Sequence, residues 1–586
     1  MQPLKTHFLR ANAVRLRRRL RESEAAFIVL AAVVGLAAGV ATNLIGLLAH
    51  QIQHLFYGVA INRLSAIGSI RHPWKLLALP LGGLLMVAGN YYLRRRSTGQ
   101  IDVVEANALH GGRIPWIDNL IVSAQTIVSN GFGASVGLEA AYAQAGGGIA
   151  SLLGQGFALR RNDLRVLVGA GAGAGIGAAF GAPLAGAFYA FEIVIGAYTP
   201  AAIAPVAAAA LASAFVTRSL GVEPFLIATT TAARAITIGD YLAYAILGLV
   251  CALAGIAVMR LVAAVESRVQ ANSPLGRWAP LAGGALLMPL AYLSPQTLSS
   301  GHGALHLDLA LQPALTFLAV VILLKVAASV ISLSFGFRGG LFFASMFLGS
   351  LVGQGFAELV NMRGIAVQLD ITDAALVGMA ALSVSIVGGP MTLAMLTLET
   401  THDFALMGVV LTASLIASAY TRERFGYSFS TWRLHLRGSR IRSPRDIGWT
   451  ATLTAGRIMR KDWVSLPEAL SVDAFRASVP LGSTSKVLVV DSDGHYRGIL
   501  QTALGYSPDL DPTTTIGTLA QLDHATLEPR TDIVEMLRRF EANAADELAV
   551  LDAERRVLGV VSENHARRRY FEEMERSQKA LYGEAA

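Results

Sequence analysis

The chain has 586 residues, of which 53% are hydrophobic and only 15% are charged, whereas an average soluble protein carries about 25% charged residues. The charge is unevenly distributed, because residues 1–430 contain 45 of the 88 charged side chains (48 basic and 40 acidic) and residues 431–586 contain the other 43. This pattern excludes a single soluble domain and a disordered chain, and it indicates an integral membrane protein with a water-soluble C-terminal tail.

The net charge of +8 includes arginines that flank apolar segments, at positions 15, 17–19, 21 and 94–96. Basic flanks of this kind orient a membrane protein by the positive-inside rule, and the tail contains no nucleic-acid-binding motif. We therefore predict that residues 1–24 form a basic cytoplasmic N-terminus and that nucleic acid is not a partner. The single cysteine, Cys251, lies in an apolar run, so neither a disulfide framework nor a cysteine metal site is expected.

Apolar runs without Asp, Glu, Lys or Arg recur along the first three quarters of the chain, and a membrane-spanning helix needs about 20 such residues. They cover residues 25–62, 76–93, 119–138, 166–191, 193–217, 241–259, 278–307, 374–398 and 404–421. Several are interrupted by glycine and proline, at 169–177, 182–183 and 388–390. Interrupted helices are tolerated at membrane depth only around a protein-lined or watery cavity, so the pattern predicts a transport pathway.

Two residue patterns in the first half of these runs, a proline–glutamate spacing and a glycine-containing segment, recur in the second half. Pro183 is followed nine residues later by Glu192, and Pro390 by Glu399, at an offset of 207 residues. The segment at 137–139, with a glycine at 146, matches the segment at 340–342, with a glycine at 349, at an offset of 203. Glycine-rich membrane helices can resemble each other by chance, but two matched pairs at nearly the same offset favour an internal duplication, as in many transporters.

The stretch Gly133-Ala-Ser135-Val-Gly137-Leu-Glu139 places one carboxylate among small residues at the start of an apolar segment. An ionisable group inside a membrane is costly and indicates a functional site. Gly137 would let backbone amides approach a ligand at a helix N-terminus. Two interpretations are open: the carboxylate occupies an anion site, or it caps the helix.

Two further glycine turns, at 111–115 and 337–342, precede apolar segments and could supply N–H donors. The absence of an Asp/Asn cluster for a cation favours anions as the ligand. Three other charged residues lie within apolar stretches. Glu192 and Glu399 could act as helix-end groups or in a proton relay. Lys325 could extend to the membrane surface or raise the potential along an anion path.

The tail after residue 435 has a different pattern. A basic exit from the membrane is followed by apolar segments at 486–490, 496–500, 547–551 and 557–562, with polar turns and helical segments between them. This alternation predicts strands and two copies of a small α/β module at 454–572. Residues 436–453 are predicted to form a linker and residues 573–586 a terminal extension.

Taken together and in order, these motifs resemble the CLC family of chloride channels and chloride/proton antiporters, of the bacterial ClcB-like type with a C-terminal pair of CBS domains. Four motifs carry the resemblance. The family's G-S-G-I-P corresponds to Gly111-Gly112-Arg113-Ile114-Pro115, and its G-x-S-x-G-R-E-G-P corresponds to the stretch from Gly133 to Ala141. Its A-F-N-A-P-L-A-G corresponds to Ala179-Phe180-Gly181-Ala182-Pro183-Leu184-Ala185-Gly186, and its G-G-I-F-A-P corresponds to Gly339-Gly340-Leu341-Phe342-Phe343-Ala344.

The resemblance implies roles for individual residues. Glu139 matches the gating glutamate, and Leu341 and Phe342 match positions whose backbone amides bind the anion. Gly112 stands where the family has an anion-coordinating serine, so relaxed anion selectivity is expected. Ser430 matches the coordinating tyrosine, with Tyr427 one helical turn earlier.

The resemblance also implies a function. Ile193 stands where antiporters carry a second, inner glutamate, so voltage-gated, channel-like chloride conduction is expected, with chloride/proton antiport through Glu139 as the alternative. No enzymatic activity and no cofactor are expected. In the tail, His565 replaces the aspartate of the CBS nucleotide signature, so adenine nucleotides should bind weakly or not at all.

The implied fold is mainly α: a polytopic membrane domain of two inverted repeats of broken helices at 25–435, plus the α/β CBS-domain pair. The protein is expected to be a homodimer in the lipid bilayer of a bacterial inner membrane, with one anion pathway in each subunit and both termini in the cytoplasm.

Overall fold

The computed structural model describes residues 23–60, 64–93, 100–222, 225, 227, 236–271, 273–362, 368–436 and 453–582. The chain forms two compact units, one within residues 1–446 and the other within residues 447–586. The predicted basic N-terminus and the predicted linker at 436–453 lie almost entirely outside the described residues.

The first unit is helical. Its first half contains α1 (Glu24–Tyr57), α2 (Ala78–Leu93), α3 (Val103–Leu109), α4 (Trp116–Gly131), α5 (Glu139–Gly156), α6 (Arg161–Phe180), α7 (Pro183–Tyr189) and α8 (Pro200–Ser219). The helix α7 continues as a wider π-helical segment at Ala190–Ile195. Its second half contains α9 (Ile238–Ala271), α10 (Ser273–Leu293), α11 (His302–Leu311), α12 (Leu315–Ser334), α13 (Phe342–Met362), α14 (Ile371–Val387), α15 (Pro390–Thr401), α16 (Met407–Arg424) and α17 (Phe429–Leu436).

Seven helices in the described part of the chain are long and apolar enough to cross a membrane, so the predicted multi-pass membrane protein is confirmed. They are α1, α6, α8, α9, α12 and α13, together with the segment Pro73–Leu93, which contains α2. The charge-free runs missed α12 and α13. Lys325 divides the first of these helices, and the charge-free stretch 339–357 that covers most of the second was not recognised as a membrane span.

The predicted duplication is confirmed by the packing, since α1–α8 correspond in order to α9–α16. In the first half α5 packs on α6 and α1 packs on α8, and in the second half α13 packs on α14 and α9 packs on α16. Close approach depends on glycine at equivalent positions. A Cβ atom on Gly171 of α6 would overlap the carbonyl of Gly146 on α5, and one on Gly378 of α14 would overlap the carbonyl of Gly349 on α13.

Two glutamates connect the halves to each other. The carboxylate of Glu192 accepts hydrogen bonds from the backbone amides of Met391 (3.1 Å) and Thr392 (2.8 Å) at the start of α15. The carboxylate of Glu399 accepts from the amides of Leu184 (2.9 Å) and Ala185 (2.8 Å) at the start of α7. Because the first amides of a helix have no partner within the helix, each half caps a helix of the other half. These contacts support the helix-end interpretation of both glutamates.

Replacing Glu399 with alanine should therefore destabilise the membrane unit by about 1–3 kcal/mol, since two charge-assisted hydrogen bonds to α7 are lost. Thermal unfolding of the purified protein in detergent would measure this as a lower melting temperature. Glu358→Ala on α13 is the matched control, because that glutamate is partly buried but makes neither of these contacts. Equal melting temperatures for the two variants would show that the cap does not contribute to stability.

The second unit consists of two copies of one module. The first copy contains α18 (Ala455–Ile458), β1 (Ser465–Pro467), α19 (Val472–Ser478), β2 (Lys486–Val490), β3 (Tyr496–Gln501) and α20 (Thr502–Gly505). The second contains β4 (Thr526–Leu527), α21 (Ile533–Ala542), β5 (Glu547–Leu551), β6 (Val557–Ser562) and α22 (Glu563–Tyr582).

Both sheets have the same topology, which confirms the predicted pair of α/β modules. In the first sheet β1 is parallel to β2, and β2 is antiparallel to β3. In the second, β4, β5 and β6 repeat this order and these directions. Even the register irregularity recurs, between Val489 and Val490 in one sheet and between Val550 and Leu551 in the other. The two modules share a core that includes Leu488, Ile499 and Val560.

Candidate functional site

Glu139 is the first residue of α5, and its side chain is buried in the membrane unit with only 3% of its surface exposed. The loops before α5 and α13 pair with each other there. The amide of Gly137 donates to the carbonyl of Gly340 at 2.9 Å, and the amide of Gly340 donates to the carbonyl of Gly137 at 3.2 Å. This bridge brings together the N-termini of two helices, where the partial positive charge of helix ends is concentrated.

The carboxylate of Glu139 lies directly over this glycine bridge. A Cβ atom on Gly137 would overlap the carboxylate, and one on Gly340 would lie 3.3 Å from Oε2. Within the described part of the chain, Oε2 has no hydrogen-bond partner. A buried anionic oxygen without a hydrogen-bond partner is costly. The carboxylate therefore occupies a position suited to an anion, but it does not receive a full set of hydrogen bonds there.

Glu139 faces a cavity of about 130 Å³, which is large enough for several water molecules or a small anion. The starts of four helices contribute to its wall, namely α3, α5, α13 and α17. Three residues predicted from the sequence meet Glu139 at this cavity: Leu341, Phe342 and Ser430. Their convergence from separate segments creates the kind of concave site in which helix ends can bind an anion.

Gly112 lies elsewhere. Its amide donates to the carbonyl of Ala106 (2.9 Å), its carbonyl accepts from the hydroxyl of Ser151 (2.7 Å), and it is absent from the described wall of the cavity. The N-terminal end of α3, with Asp102 as its N-cap, lies at the cavity, whereas Gly112 follows the C-terminal end of that helix. The geometry therefore does not support an anion-binding role for Gly112, because its turn joins the end of α3 to the start of α4 outside the described cavity wall.

Tyr427 also lies away from the described cavity wall. Its hydroxyl is 3.2 Å from Nδ1 of His435, and the two rings stack with centroids 4.7 Å apart. Of the two residues considered for the tyrosine position, only Ser430 therefore reaches the cavity.

The sequence did not identify several residues of the wall, including Asp102, Tyr189, Arg338 and Arg433. Tyr189 ends α7, just before the π-helical segment, and its ring lies 6.3 Å from that of Phe342. A signal existed for Arg338, because it is an isolated charge immediately before the Gly339-Gly340 turn. Arg433 is on α17, three residues after Ser430, and so on the same side of the helix.

Lys325 is fully buried in α12 and does not extend to a membrane surface. Its Nζ donates to the carbonyls of Ser299 (2.8 Å) and Thr297 (3.4 Å) and lies 5.7 Å from the centre of the Phe347 ring. The amide of Ser299 in turn donates to the carbonyl of Gly133 at 3.0 Å. Lys325 thus fixes a turn that supports the loop leading to Glu139.

In the second unit, His565 lies in the first turn of α22, and its Nδ1 is 3.5 Å from the guanidinium of Arg568. Partial burial, together with the positive charges of Arg568 and Arg569, lowers the pKa of His565 below its ordinary value. The imidazole is then neutral at pH 7 and cannot accept hydrogen bonds from two ribose hydroxyls as a carboxylate does.

Comparisons with known proteins agree with this architecture. Residues 82–422 match the family described as voltage gated chloride channels. The voltage-gated ClC-type chloride channel ClcB of Escherichia coli is 24% identical over 360 residues, which are 60% of this chain and 84% of that protein.

Solved structures show the same fold. A slow cyanobacterial Cl⁻/H⁺ antiporter matches with a TM-score of 0.61 and 22% identity over 70% of this chain and 97% of its own. A eukaryotic CLC transporter matches with a TM-score of 0.59 and 18% identity over 92% of this chain and 97% of its own. The family match alone covers more than half of the sequence. The chain therefore belongs to the CLC family of voltage-gated chloride channels.

Proposed function

We propose that this protein carries chloride, or a closely related small anion, across a bacterial inner membrane through a pathway gated by Glu139. The observation that carries the proposal is the Glu139 carboxylate, which lies buried at the paired N-termini of α5 and α13 with one oxygen unpartnered in the described structure. A carboxylate and a chloride ion are both anions, so they would compete for the same helix-end charges.

The gate would work by exchange. When the carboxylate occupies the glycine bridge, a permeating anion is repelled. When it moves away or becomes protonated, the amides of Leu341 and Phe342, the hydroxyl of Ser430 and the nearby arginines remain to bind the anion. Family membership and the chloride channel named among its relatives favour an anion over a cation, and Arg338 and Arg433 supply positive charge to the cavity wall beside Asp102 and Glu139.

Channel-like conduction is favoured over proton-coupled exchange by Ile193, an apolar residue that lines the cavity wall on the side of the π-helical segment. An apolar side chain cannot pass a proton on to Glu139. The alternative, chloride/proton antiport through Glu139 alone, is supported by the resemblance of the fold to that of a cyanobacterial Cl⁻/H⁺ antiporter.

The wider setting of the proposal follows the family resemblance and the charge pattern. The protein would act as a homodimer with one pathway in each subunit. The basic residues before α1 and after α17 would keep both termini in the cytoplasm.

Flux measurements on purified protein in liposomes test the proposal. With an outward chloride gradient, we expect chloride efflux under a shunted membrane potential and no uphill proton movement. Uphill proton movement driven by chloride would establish the antiport alternative. Absence of chloride flux from protein that remains folded would overturn both forms of the proposal.

A further inference from the structure

Two polar side chains are buried together away from the Glu139 cavity. Asp308 lies on α11, a ten-residue helix, with 2% of its surface exposed. Gln296 lies in the short helical turn Pro295–Thr297 with 6% exposed. Nε2 of Gln296 donates to Oδ1 of Asp308 at 2.8 Å. Neither residue lines the described wall of the Glu139 cavity, so the pair belongs to a different part of the membrane unit.

The other two oxygens of this pair lack donors. Within the described residues, Oδ2 of Asp308 and Oε1 of Gln296 are buried and accept no hydrogen bond. The charged and titratable side chains on the helices around the pair are Arg277 and Tyr292 on α10, His302 and His306 on α11, Lys325 on α12 and Glu358 on α13. None of them forms an ion pair with Asp308 in the described structure. A buried carboxylate without a counter-ion is costly.

One proton satisfies both oxygens. A protonated carboxyl group is a donor as well as an acceptor, so Oδ2 of Asp308 can donate to Oε1 of Gln296 while Oδ1 keeps its present hydrogen bond. The same proton removes the buried negative charge. Burial raises the pKa of Asp308 to about 6, and the hydrogen bond from Gln296 opposes this rise. A divalent metal ion is a poorer match, since it takes about six or more ligands and the pair offers two free oxygens.

We propose that Asp308 and Gln296 form a proton-binding site, in which one proton closes a cyclic pair of hydrogen bonds between the carboxyl group and the amide. The site lies outside the Glu139 cavity, and its existence does not depend on the proposed anion transport.

The site stabilises a turn that supports the loop before α5. The carbonyls of Thr297 and Ser299, at the end of this turn and just after it, accept from Nζ of Lys325. The amide of Ser299 donates to the carbonyl of Gly133 in that loop. Binding of a proton at Asp308 therefore adds a second attachment of the turn to α11.

Thermal unfolding of the purified full-length protein in detergent at pH 5.0 and pH 7.5 tests the site. Asp308→Asn replaces the protonated carboxyl group with an amide, which can make both hydrogen bonds at either pH. Because the pKa of Asp308 is raised, the wild type loses the second hydrogen bond as pH rises through about 6. The variant should therefore melt about 2–4 °C above the wild type at pH 7.5 and within about 1 °C of it at pH 5.0.

Asp240→Asn is the matched control for this experiment. Asp240 on α9 is also 2% exposed, but its carboxylate accepts from the amide and the hydroxyl of Thr237 at 2.7 and 2.8 Å. This variant should melt below the wild type at pH 7.5, since it loses hydrogen bonds to a charged group. A folded Asp308→Asn variant that also melts below the wild type at pH 7.5 would overturn the proton site.

Infrared difference spectroscopy tests the site without relying on the stability of one variant. Between pH 5.0 and pH 7.5 the wild type should lose a carbonyl-stretching band of a protonated carboxyl group, and Asp308→Asn should lack this band. Gln296→Leu, which keeps the carboxyl group and removes its partner, should shift the band to higher wavenumber. A band that neither variant alters would overturn the proposal. So would stabilisation of the wild type at pH 7.5 by sodium relative to choline that is lost in Asp308→Asn, because it would identify a metal cation.

Discussion

Replacing Glu139 with glutamine is expected to preserve chloride flux while removing its dependence on pH. Glutamine has the shape of a protonated glutamate but carries no charge, so it cannot compete electrostatically with an anion at the glycine bridge and has no proton to lose. Flux from liposomes at pH 5.0, 6.0 and 7.5 should then differ by less than about twofold, whereas flux through the wild type should fall as pH rises and the carboxylate becomes charged.

Glu358→Gln provides the control for this experiment, because it makes the same chemical change on α13 at a residue that is not part of the described cavity wall. It should keep the wild-type pH profile. An unchanged profile in Glu139→Gln would mean that Glu139 only caps α5, and the gate would have to be sought elsewhere.

Replacing Gly137 with alanine should open the same gate by steric means. The new methyl group would occupy the space of the Glu139 carboxylate, and the end of a flexible side chain moves more easily than the backbone around it. The carboxylate would leave the glycine bridge while keeping its charge. We expect flux at pH 7.5 to increase several-fold over the wild type, with the helices intact.

The control for the glycine variant is the Glu139→Ala background, in which no carboxylate remains to be displaced. There, Gly137→Ala should add less than about twofold to the flux, because distinct mutations acting through one group are not additive. If Gly137→Ala increases flux equally in both backgrounds, or abolishes it only in the wild-type background, displacement of the carboxylate is not its mechanism.

The sequence predicted those features of the fold that depend on regular spacing. The offsets of 203 and 207 residues identified the duplication, and the same offsets relate the glycine contacts of α5 with α6 to those of α13 with α14. Four of the six strands of the tail, β2, β3, β5 and β6, were predicted close to their observed positions, because short apolar runs bounded by polar turns form a local pattern. The strands β1 and β4 have only three and two residues and were not predicted. Glu139 was singled out as a lone carboxylate beside Gly137, whereas Leu341 and Phe342 were named from the family resemblance, and all three line the cavity.

The rest of the site could not be predicted, because it depends on contacts between distant segments. Arg338 and Arg433 are almost a hundred positions apart, and only packing brings them to the wall of one cavity. Gly112 was placed at the anion site by the motif resemblance, but its turn joins α3 to α4, and the part of this region that reaches the cavity is the start of α3 at Asp102. The role of Lys325 depends on carbonyl groups in a turn about 26 residues away, which no side-chain pattern reveals.

The reciprocal capping by Glu192 and Glu399 has a consequence for the synthesis of the chain. The amide of Leu184 can donate this hydrogen bond only after Glu399, 215 positions later, has been synthesised. At about 5–20 residues per second, the ribosome takes roughly 10–40 s to cover that distance. During this interval the start of α7 exposes unsatisfied amides, which are costly in lipid. Nascent chains that stall between the two repeats should therefore be retained at the insertion machinery and become targets for membrane proteases.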